Sequence, residues 1–476
     1  MSCRKWIGFL CVIVLVGLFL SPGEATSAQE EVQQGPVYIV QEGDTLWDIA
    51  QRFGVPWHLL ARENNLDDPS RISAGMELII PGLDGLEGYL ITQNIPFGET
   101  LRSLSRRFEV PVDLLIRLNK IINPVGLYAG ENLILPQSDQ EIPAKLRLTL
   151  APGQSLLELS VRHGMNPWKL VNQNALPGTW SALPGDVLQV RAPALENGPG
   201  ALPGEVRGIE IDPVIPSQGD TVVIRLSSPV SLVMHGTFMD HDLHFFQTGE
   251  GDYVALQGIH AMAEPGLYPL TLWGQASGDI PIGFTQMVRV AAGDFAYESL
   301  QVPPETLDPK NTAPEDKIWY GIPARYTPEK MWEGVFLRPV APSDCGYTDY
   351  FGNRRSYNGS AYNFFHTGLD FCYNYNLEVN EIYAPADGIV VYADGPLVVR
   401  GYATMIDHGW GVYTGYMHQE KILVQVGERV KAGQLIGIVG VTPKNMGRVS
   451  GPHLHFEVWV GGVQVDPLDW LEREYP

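Results

Sequence analysis

The chain has 476 residues, which at about 150 per domain leaves room for roughly three domains. Hydrophobic residues make up 45 % of it, enough for real cores, which excludes a disordered tail. The 51 glycines and 37 prolines exceed average usage and point to short strands, turns and linkers. With 32 basic against 54 acidic residues the net charge is -22. No nucleic acid is expected as a partner, because phosphate binding needs a basic footprint. Docking by charge on an anionic surface is excluded on the same ground.

The first segment reads as an export signal. Arg4 and Lys5 precede an apolar run, Trp6 to Leu20, and small residues follow as far as Ala28. That is the pattern of a signal peptide, 1–28, cut after Ala28. Its 15 apolar positions are short for a membrane span of about 20. After cleavage no stable span remains, and the mature chain is expected to be secreted and extracytoplasmic. Cys3 and Cys11 leave with the signal, so Cys345 and Cys372 form one even pair in an oxidising compartment. A disulfide between them would close a 27-residue span, worth about 3–4 kcal/mol. Two buried thiols are the alternative.

The next third is a repeat. Gly43-Asp44-Thr45 recurs as Gly98-Glu99-Thr100 and as Gly153-Gln154-Ser155, each step being 55 residues. Leu60, Leu115 and Leu170 keep that step, as do Asn64, Asn119 and Asn174, and Gly75, Gly130 and Gly185. Each unit reads as strand, two short helices and strand. Leu46, Ile49, Ala50 and Phe53 fall at helical spacing after the Asp-Thr cap, and Pro56 opens a second helix. In residue types and order these βααβ units resemble the LysM carbohydrate-binding module. The first two, 37–83 and 88–137, match closely; the third, 145–193, is diverged, with Arg191 where the others have Pro81 and Pro136. The resemblance implies binding of N-acetylglucosamine-containing glycans, chiefly peptidoglycan. Three spacer modules are the alternative.

Beyond a Pro/Gly-rich linker, residues 205–292 carry regularly spaced short strands, such as Thr221 to Leu226 and Tyr268 to Trp273. This spacing predicts an immunoglobulin-like β-sandwich. Asp240, His241, Asp242 and His244 invite a metal reading there, but His241 and His244 would face opposite sides of a strand. Residues 293–334 are Pro-rich and polar, and read as a connector. Residues 335–471 alternate β-runs with Gly turns, with no good helix, so this region is expected to be all-β.

Histidines gather in that last region: His366, His408, His418, His453 and His455, with Asp370. In a strand-like run His453 and His455 share a face while Leu454 enters the core. His366 and Asp370, four apart, would share one face of a strand, with Gly368 permitting close approach. Three N/O ligands with an open fourth position are the pattern of a catalytic zinc. Neighbouring histidines can move protons near neutral pH.

The motifs around them are more specific. His366-Thr-Gly-Leu-Asp370, Ala384-Pro-Ala-Asp-Gly388, Ile406-Asp-His-Gly409, Thr414-Gly-Tyr-Met-His418 and Gly451-Pro-His-Leu-His-Phe-Glu457 follow in order. With Phe351-Gly-Asn-Arg354 and Val465-Asp-Pro467 they resemble the lysostaphin/LytM-type zinc metallopeptidases. The resemblance implies an all-β duplicated hybrid motif and one Zn2+ per chain, held by His366, Asp370 and His455. It implies His418 and His453 as catalytic histidines and the peptides of peptidoglycan as substrate, hence a cell wall or a periplasm. Glu457 shares the parity of His453 and His455, so it is either a partner orienting a ligand ring or a solvated strand residue. His408 reads as structural, and Asp387 as a turn residue. Cys372 could face the metal by parity, but a bond to Cys345 would occupy its sulfur.

The expectation is therefore an exported zinc endopeptidase that cuts peptidoglycan peptides and is targeted by LysM modules. The rival is a metal-binding, non-hydrolytic wall-binding regulator that activates another hydrolase. All metal and catalytic candidates follow Val335, so a fragment starting near Pro328 is expected to keep the chemistry.

Overall fold

A computed structural model describes residues 35–83, 86, 88–108, 110–137, 146–190, 202–203, 205–441, 447–449 and 451–476. The expected signal peptide, 1–28, lies outside the described residues. Among those described, no helix is long and apolar enough to cross a membrane.

The first repeat folds as β1 (Val37–Ile39), α1 (Leu46–Phe53), α2 (Trp57–Glu63) and β2 (Glu77–Ile79). Thr45 caps α1, its hydroxyl accepting from the Asp48 N–H at 3.1 Å, and Gly54 ends it in the left-handed conformation. The second repeat gives β3 (Tyr89–Asn94), α3 (Leu101–Phe108), α4 (Val112–Asn119) and β4 (Asn132–Gln137). These two units are not independent. β1 pairs in parallel with β3, Val37 beside Tyr89, and one four-stranded sheet runs in the order β2-β1-β3-β4. Leu46, Ile49 and Leu60 share a core with Leu90, Leu101 and Leu115. The third repeat, β5 (Leu146–Thr149), α5 (Leu156–Arg162), α6 (Pro167–Gln173) and β6 (Val187–Val190), has its own two-stranded sheet and core.

The recurring asparagine has a physical reason. Asn64 donates to the carbonyls of Leu60 and Ile79, both at 2.8 Å, and accepts from the Ile79 N–H at 2.6 Å. It thereby ties the end of the second helix to the closing strand. Asn119 does the same with Leu115 and Ile134, and Asn174 with Leu170 and Gln189. These bonds need a side chain with both a donor and an acceptor, which is what asparagine supplies in all three repeats.

Eight strands follow: β7 (Gly208–Asp212), β8 (Thr221–Ser227), β9 (Leu232–Phe238), β10 (His241–Leu243), β11 (Phe246–Gly249), β12 (Asp252–Gly258), β13 (Gly266–Ala276) and β14 (Ile280–Val290). They form two four-stranded sheets, β11-β12-β8-β7 and β10-β9-β13-β14. Val222, Ile224 and Leu226 pack with Phe238, Leu270 and Leu272 in one core between them. The other face of the first sheet is not solvated. Val223, Val254 and Leu256 belong to the core of the C-terminal region, where Trp470 donates to the Thr221 hydroxyl at 2.9 Å.

The expected connector is a built structure. It contains β15 (Tyr297–Leu300), a 3-10 turn at Pro304–Thr306 and the helix α7 (Pro309–Gly321). Asp308 caps α7 and Pro309 occupies its first turn, where a missing N–H is harmless. The prolines that suggest an extended linker thus start a helix.

The last region contains β16 (Tyr347–Asp349), β17 (Arg354–Tyr357), β18 (Phe364–Phe365), β19 (Leu369–Cys372), β20 (Glu381–Tyr383), β21 (Gly388–Leu397), β22 (Gly401–Gly409), β23 (Val412–Ile422), β24 (Arg429–Val430), β25 (Leu435–Val439), β26 (His453–Val460) and β27 (Val463–Val465). One sheet runs β16-β19-β26-β23-β22-β21-β24, with β20, β25 and β27 attached. Among the described residues it is almost entirely β, with one exception: Pro467–Glu472 forms a short helix, α8, capped by Asp466. Cys345 and Cys372 are bonded, with Cα atoms 6.2 Å apart, which fastens the entry to β16 onto the end of β19.

The asparagine tie predicts a measurable loss. Asn119→Ala leaves the Ile134 N–H and carbonyl without partners and should cost about 1–3 kcal/mol in urea unfolding of the repeat region. An unchanged midpoint would contradict the role given to this column.

Candidate metal centre and catalytic cleft

Three side chains converge from two strands and a turn. β19 and β26 pair antiparallel with Asp370 opposite His455 and Cys372 opposite His453. Their alternate residues Leu369, Phe371, Leu454 and Phe456 are buried in the core, which leaves Asp370 and His455 on the other face. His366 does not share a strand with Asp370, contrary to the spacing argument. β18 ends at Phe365, the chain turns through Thr367 and Gly368, and β19 begins at Leu369. A side chain on Gly368 would meet the Phe456 carbonyl and the His455 ring, so the turn is open only to glycine.

The resulting cluster is tight. His366 Nε2 lies 3.0 Å from Asp370 Oδ1 and 2.9 Å from His455 Nδ1, and His455 Nδ1 lies 2.7 Å from Asp370 Oδ1. Each ring is fixed by its other nitrogen. His366 Nδ1 donates to the Tyr350 carbonyl at 2.9 Å, so its Nε2 presents a lone pair inward. His455 Nε2 faces Glu457 Oε1 at 3.4 Å and Thr367 Oγ1 at 3.3 Å, which turns its Nδ1 lone pair to the same point. Two imidazole nitrogens and a carboxylate oxygen aimed at one point fit a metal ion. Among the described residues this is the one group of His, Cys, Asp or Glu able to hold one. The Cys372 sulfur is taken by its disulfide.

The electrostatics agree. Burial pushes Asp370 up, but the rings of His366, His453 and His455 outweigh it and hold the carboxyl well below its usual range. Burial likewise opposes charge on His455, but Asp370 and Glu457 push that ring up to about 9, so a metal ion at this point would compete with a proton on Nδ1. Burial dominates at His366 and lowers it, which keeps the ring neutral. The pocket favours a positive charge at its centre.

His418 and His453 stand beside the cluster. Their ring centres are 5.0 Å apart, and His418 is 5.8 Å from His455. His453 Nδ1 donates to the Gly451 carbonyl at 2.9 Å, and its Nε2 lies 3.5 Å from Asp370 Oδ2. His418 has a left-handed backbone, φ 63°, at a break in the pairing of β23 with β22. Its N–H bonds the Arg400 carbonyl at 2.9 Å and its carbonyl accepts from Gly440 at 2.8 Å. His408 is apart from this group. It is fully buried, with Nδ1 on the Asp387 carbonyl at 2.7 Å and Nε2 on the Thr414 hydroxyl at 2.8 Å. His241 and His244 also stay away from it, the His244 ring lying tilted against Tyr326.

Glu457 is no solvated strand residue. It is buried, and its carboxylate accepts from Trp319 at 2.9 Å, Trp459 at 2.8 Å and Gln464 at 2.9 Å besides facing His455. Trp319 belongs to α7. That helix also brings Glu315, which bonds Arg400 at 2.6 Å and the N–H groups of Val398 and Val399. A fragment starting at Pro328 would lack these contacts, which the expected boundary leaves out. Sequence reasoning missed Trp319, Glu315 and Asp349, the last 3.5 Å from His366 Nδ1. The helical spacing of Glu315, Trp319 and Ile322 was the signal available. The same helix supplies one wall of a cleft of about 930 Å³, lined by Asp370, His418, His453 and His455 opposite Thr312, Asp316 and Tyr320.

Residues 364–467 match Peptidase family M23, and residues 38–81 and 97–136 match the LysM domain. The chain carries an M23 peptidase domain and LysM domains. Peptidoglycan DD-endopeptidase ShyA of Vibrio cholerae is 40 % identical over 103 residues, 22 % of this chain and 22 % of that protein. Murein hydrolase activator EnvC of Escherichia coli is 38 % identical over 96 residues, 20 % of this chain and 22 % of its own length. The chain thus spans about a fifth of the length of these curated relatives. The solved structure of the antimicrobial peptidase lysostaphin from Staphylococcus simulans is 33 % identical over 22 % of this chain and 44 % of that one, with a TM-score of 0.20. The third βααβ repeat lies outside the LysM matches.

Buried His408 predicts an acid sensitivity for the M23 region. Burial pushes it down to about 4 from an ordinary 6.5. Between those values the unfolded chain binds a proton that the folded chain does not, so stability falls as pH drops from 6.5 to 4. The loss is roughly 3 kcal/mol. The difference in pH slope between the natural chain and His408→Gln isolates this term; equal slopes would contradict it.

Proposed function

We propose that this chain is an exported, zinc-dependent endopeptidase that hydrolyses peptide cross-links or stem peptides of peptidoglycan. The observation that carries the reading is the convergence of His366, Asp370 and His455 within 3.0 Å, beside two further histidines in one cleft. His366 Nε2, Asp370 Oδ1 and His455 Nδ1 would hold one zinc ion. Bound there, zinc supplies Lewis acidity toward a peptide carbonyl and toward water.

The proton work falls to the remaining rings. His453, with Nδ1–H spent on Gly451, offers a basic Nε2 toward the triad and takes the proton of the attacking water. His418, held by its backbone bonds to Arg400 and Gly440, faces the same space and gives a proton to the departing amine. Glu457 and the indoles of Trp319 and Trp459 keep the His455 ring in place. Asp349 and the Tyr350 carbonyl do so for His366.

The LysM domains, with the third repeat as a related unit, would hold the enzyme on the glycan. On an insoluble polymer such linkage raises the effective concentration near the scissile bond. Exposed Trp47 and Trp57 in the first unit and Trp168 and Trp180 in the third offer flat faces for sugars. The immunoglobulin-like sandwich acts as a support for the peptidase, given the core the two share. A signal peptide at 1–28 and a site of action in the cell wall or periplasm complete the proposal. An activator such as EnvC is among the relatives, but a regulator has no need for a complete triad and a flanking histidine pair.

Two experiments test this. His455→Ala is expected to lose zinc and activity together, whereas His418→Ala keeps zinc and loses about 10²–10⁴ in turnover. Full zinc occupancy in the first variant, or near-natural turnover in the second, would overturn the roles. A chain starting at residue 205 is expected to keep zinc and cut soluble muropeptides while losing most affinity for sacculi. A chain starting at Pro328 is expected to bind zinc more weakly, because it lacks Trp319 and the Val223–Val254–Leu256 face. Equal sacculus binding by the 205 fragment and the full chain would refute the glycan-tethering role.

A further inference from the structure

Three arginines line the cleft beside the metal triad: Arg355, Arg400 and Arg448. Two of them are matched by acids. Arg355 pairs with Asp349 and, at 3.4 Å, with Glu298. Arg400 pairs with Glu315 at 2.6 Å and Asp316 at 2.8 Å. Arg448 is held differently. Its Nη1 donates to the Thr306 carbonyl at 3.2 Å, and its guanidinium lies over the Tyr357 ring, 4.6 Å from the centre. Among the described residues it forms no ion pair. The charge of Glu315 reaches it, but that carboxylate is already taken by Arg400, Val398 and Val399.

This arrangement is costly without a ligand. Burial disfavours the charge on Arg448, and Arg355 and Arg400 repel it. In a chain of net charge -22, acids to neutralise it are abundant, yet none is supplied. A guanidinium carries five N–H donors and one bond is spent on Thr306. Thr306 is the one hydrogen-bond partner its side chain has among the described residues, and that side chain lines the cleft. Tyr357 and the Thr306 carbonyl fix the plane of the fork. A planar, pre-set guanidinium with free donors is matched by a carboxylate, which accepts two parallel bonds.

The position relative to the chemistry follows from the chain. Arg448 precedes His453 by five residues, so their Cα atoms are at most about 18 Å apart. A peptide whose scissile carbonyl sits at the triad therefore reaches Arg448 within a few residues. We propose that Arg448 anchors a free carboxylate of the peptide substrate, so that this cleft selects carboxylate-bearing stem peptides over uncharged bridges such as oligoglycine. The proposal rests on the endopeptidase reading and narrows its substrate class.

The test uses the zinc-loaded full chain and two soluble peptides. One is a cross-linked stem peptide with free carboxylates, and the other is the same peptide with those carboxylates amidated. The natural chain is expected to favour the free form by about 10-fold or more, in kcat/KM and in calorimetric Kd. In Arg448→Gln that ratio should fall to about one, with zinc content unchanged. Arg448→Lys keeps the cation without the fork and should retain a reduced preference; it gives the answer if the Gln variant fails to hold zinc. No preference in the natural chain, or the same preference in the variants, would overturn the proposal. If neither peptide is cut, the endopeptidase reading fails, and the ratio of binding constants still decides whether Arg448 reads a carboxylate.

Discussion

The antiparallel register of β19 against β26 sets Asp370 directly opposite His455, and the site depends on that pairing. A slip of one residue would turn Asp370 into the core and bring an aromatic or aliphatic side chain to the cleft. The register is held from both sides. Leu369, Phe371, Leu454 and Phe456 occupy the sheet's core face, and the Cys345–Cys372 bond fastens the end of β19. With the pair fixed, the turn at Gly368 needs only to fold His366 back over it. Strands are a suitable mount because Asp370 and His455 inherit the rigidity of a paired backbone.

A second layer of contacts extends beyond the residues of the M23 match. Glu457 orients His455, and its own position depends on Trp319, which lies before residue 364, where the family match begins. Farther out, the sandwich lends Val223, Val254 and Leu256 to the peptidase core, and the Asp466 N–H donates to the Gly219 carbonyl. The packing around the candidate site therefore draws on residues from about 208 to 476. The LysM pair has its own shared sheet and core, yet its second unit also docks on the sandwich, where Phe97 and Ala129 join that core and Gln286 bonds the backbone of Gly98 and Glu99.

What could be read from the residues follows from the range of the interactions involved. The 55-residue repeat was legible because capping, helix packing and the asparagine tie all lie within one unit. The parallel pairing of β1 with β3 was not, because it joins two units that each look complete. The histidines and Asp370 stood out by type and motif. The claim that His366 and Asp370 share a strand face failed, because parity says nothing about a turn inserted between them. The connector was misread for a related reason. Pro309 and Pro304 are start signals for helices as well as marks of extended chain, and the burial of Trp319 is decided by a partner 138 residues away. Arg448 illustrates the same limit: an arginine becomes informative only when its lack of an acid is visible.

The central claim is that this cleft hydrolyses peptide bonds of the wall. Purified sacculi digested with the zinc-loaded full chain, followed by mass spectrometry of the released fragments, test it most directly. The account predicts soluble muropeptides with new amino and carboxyl termini within the peptides and intact glycan bonds. Sacculi that bind the protein yet release no fragment with a new peptide terminus would contradict it.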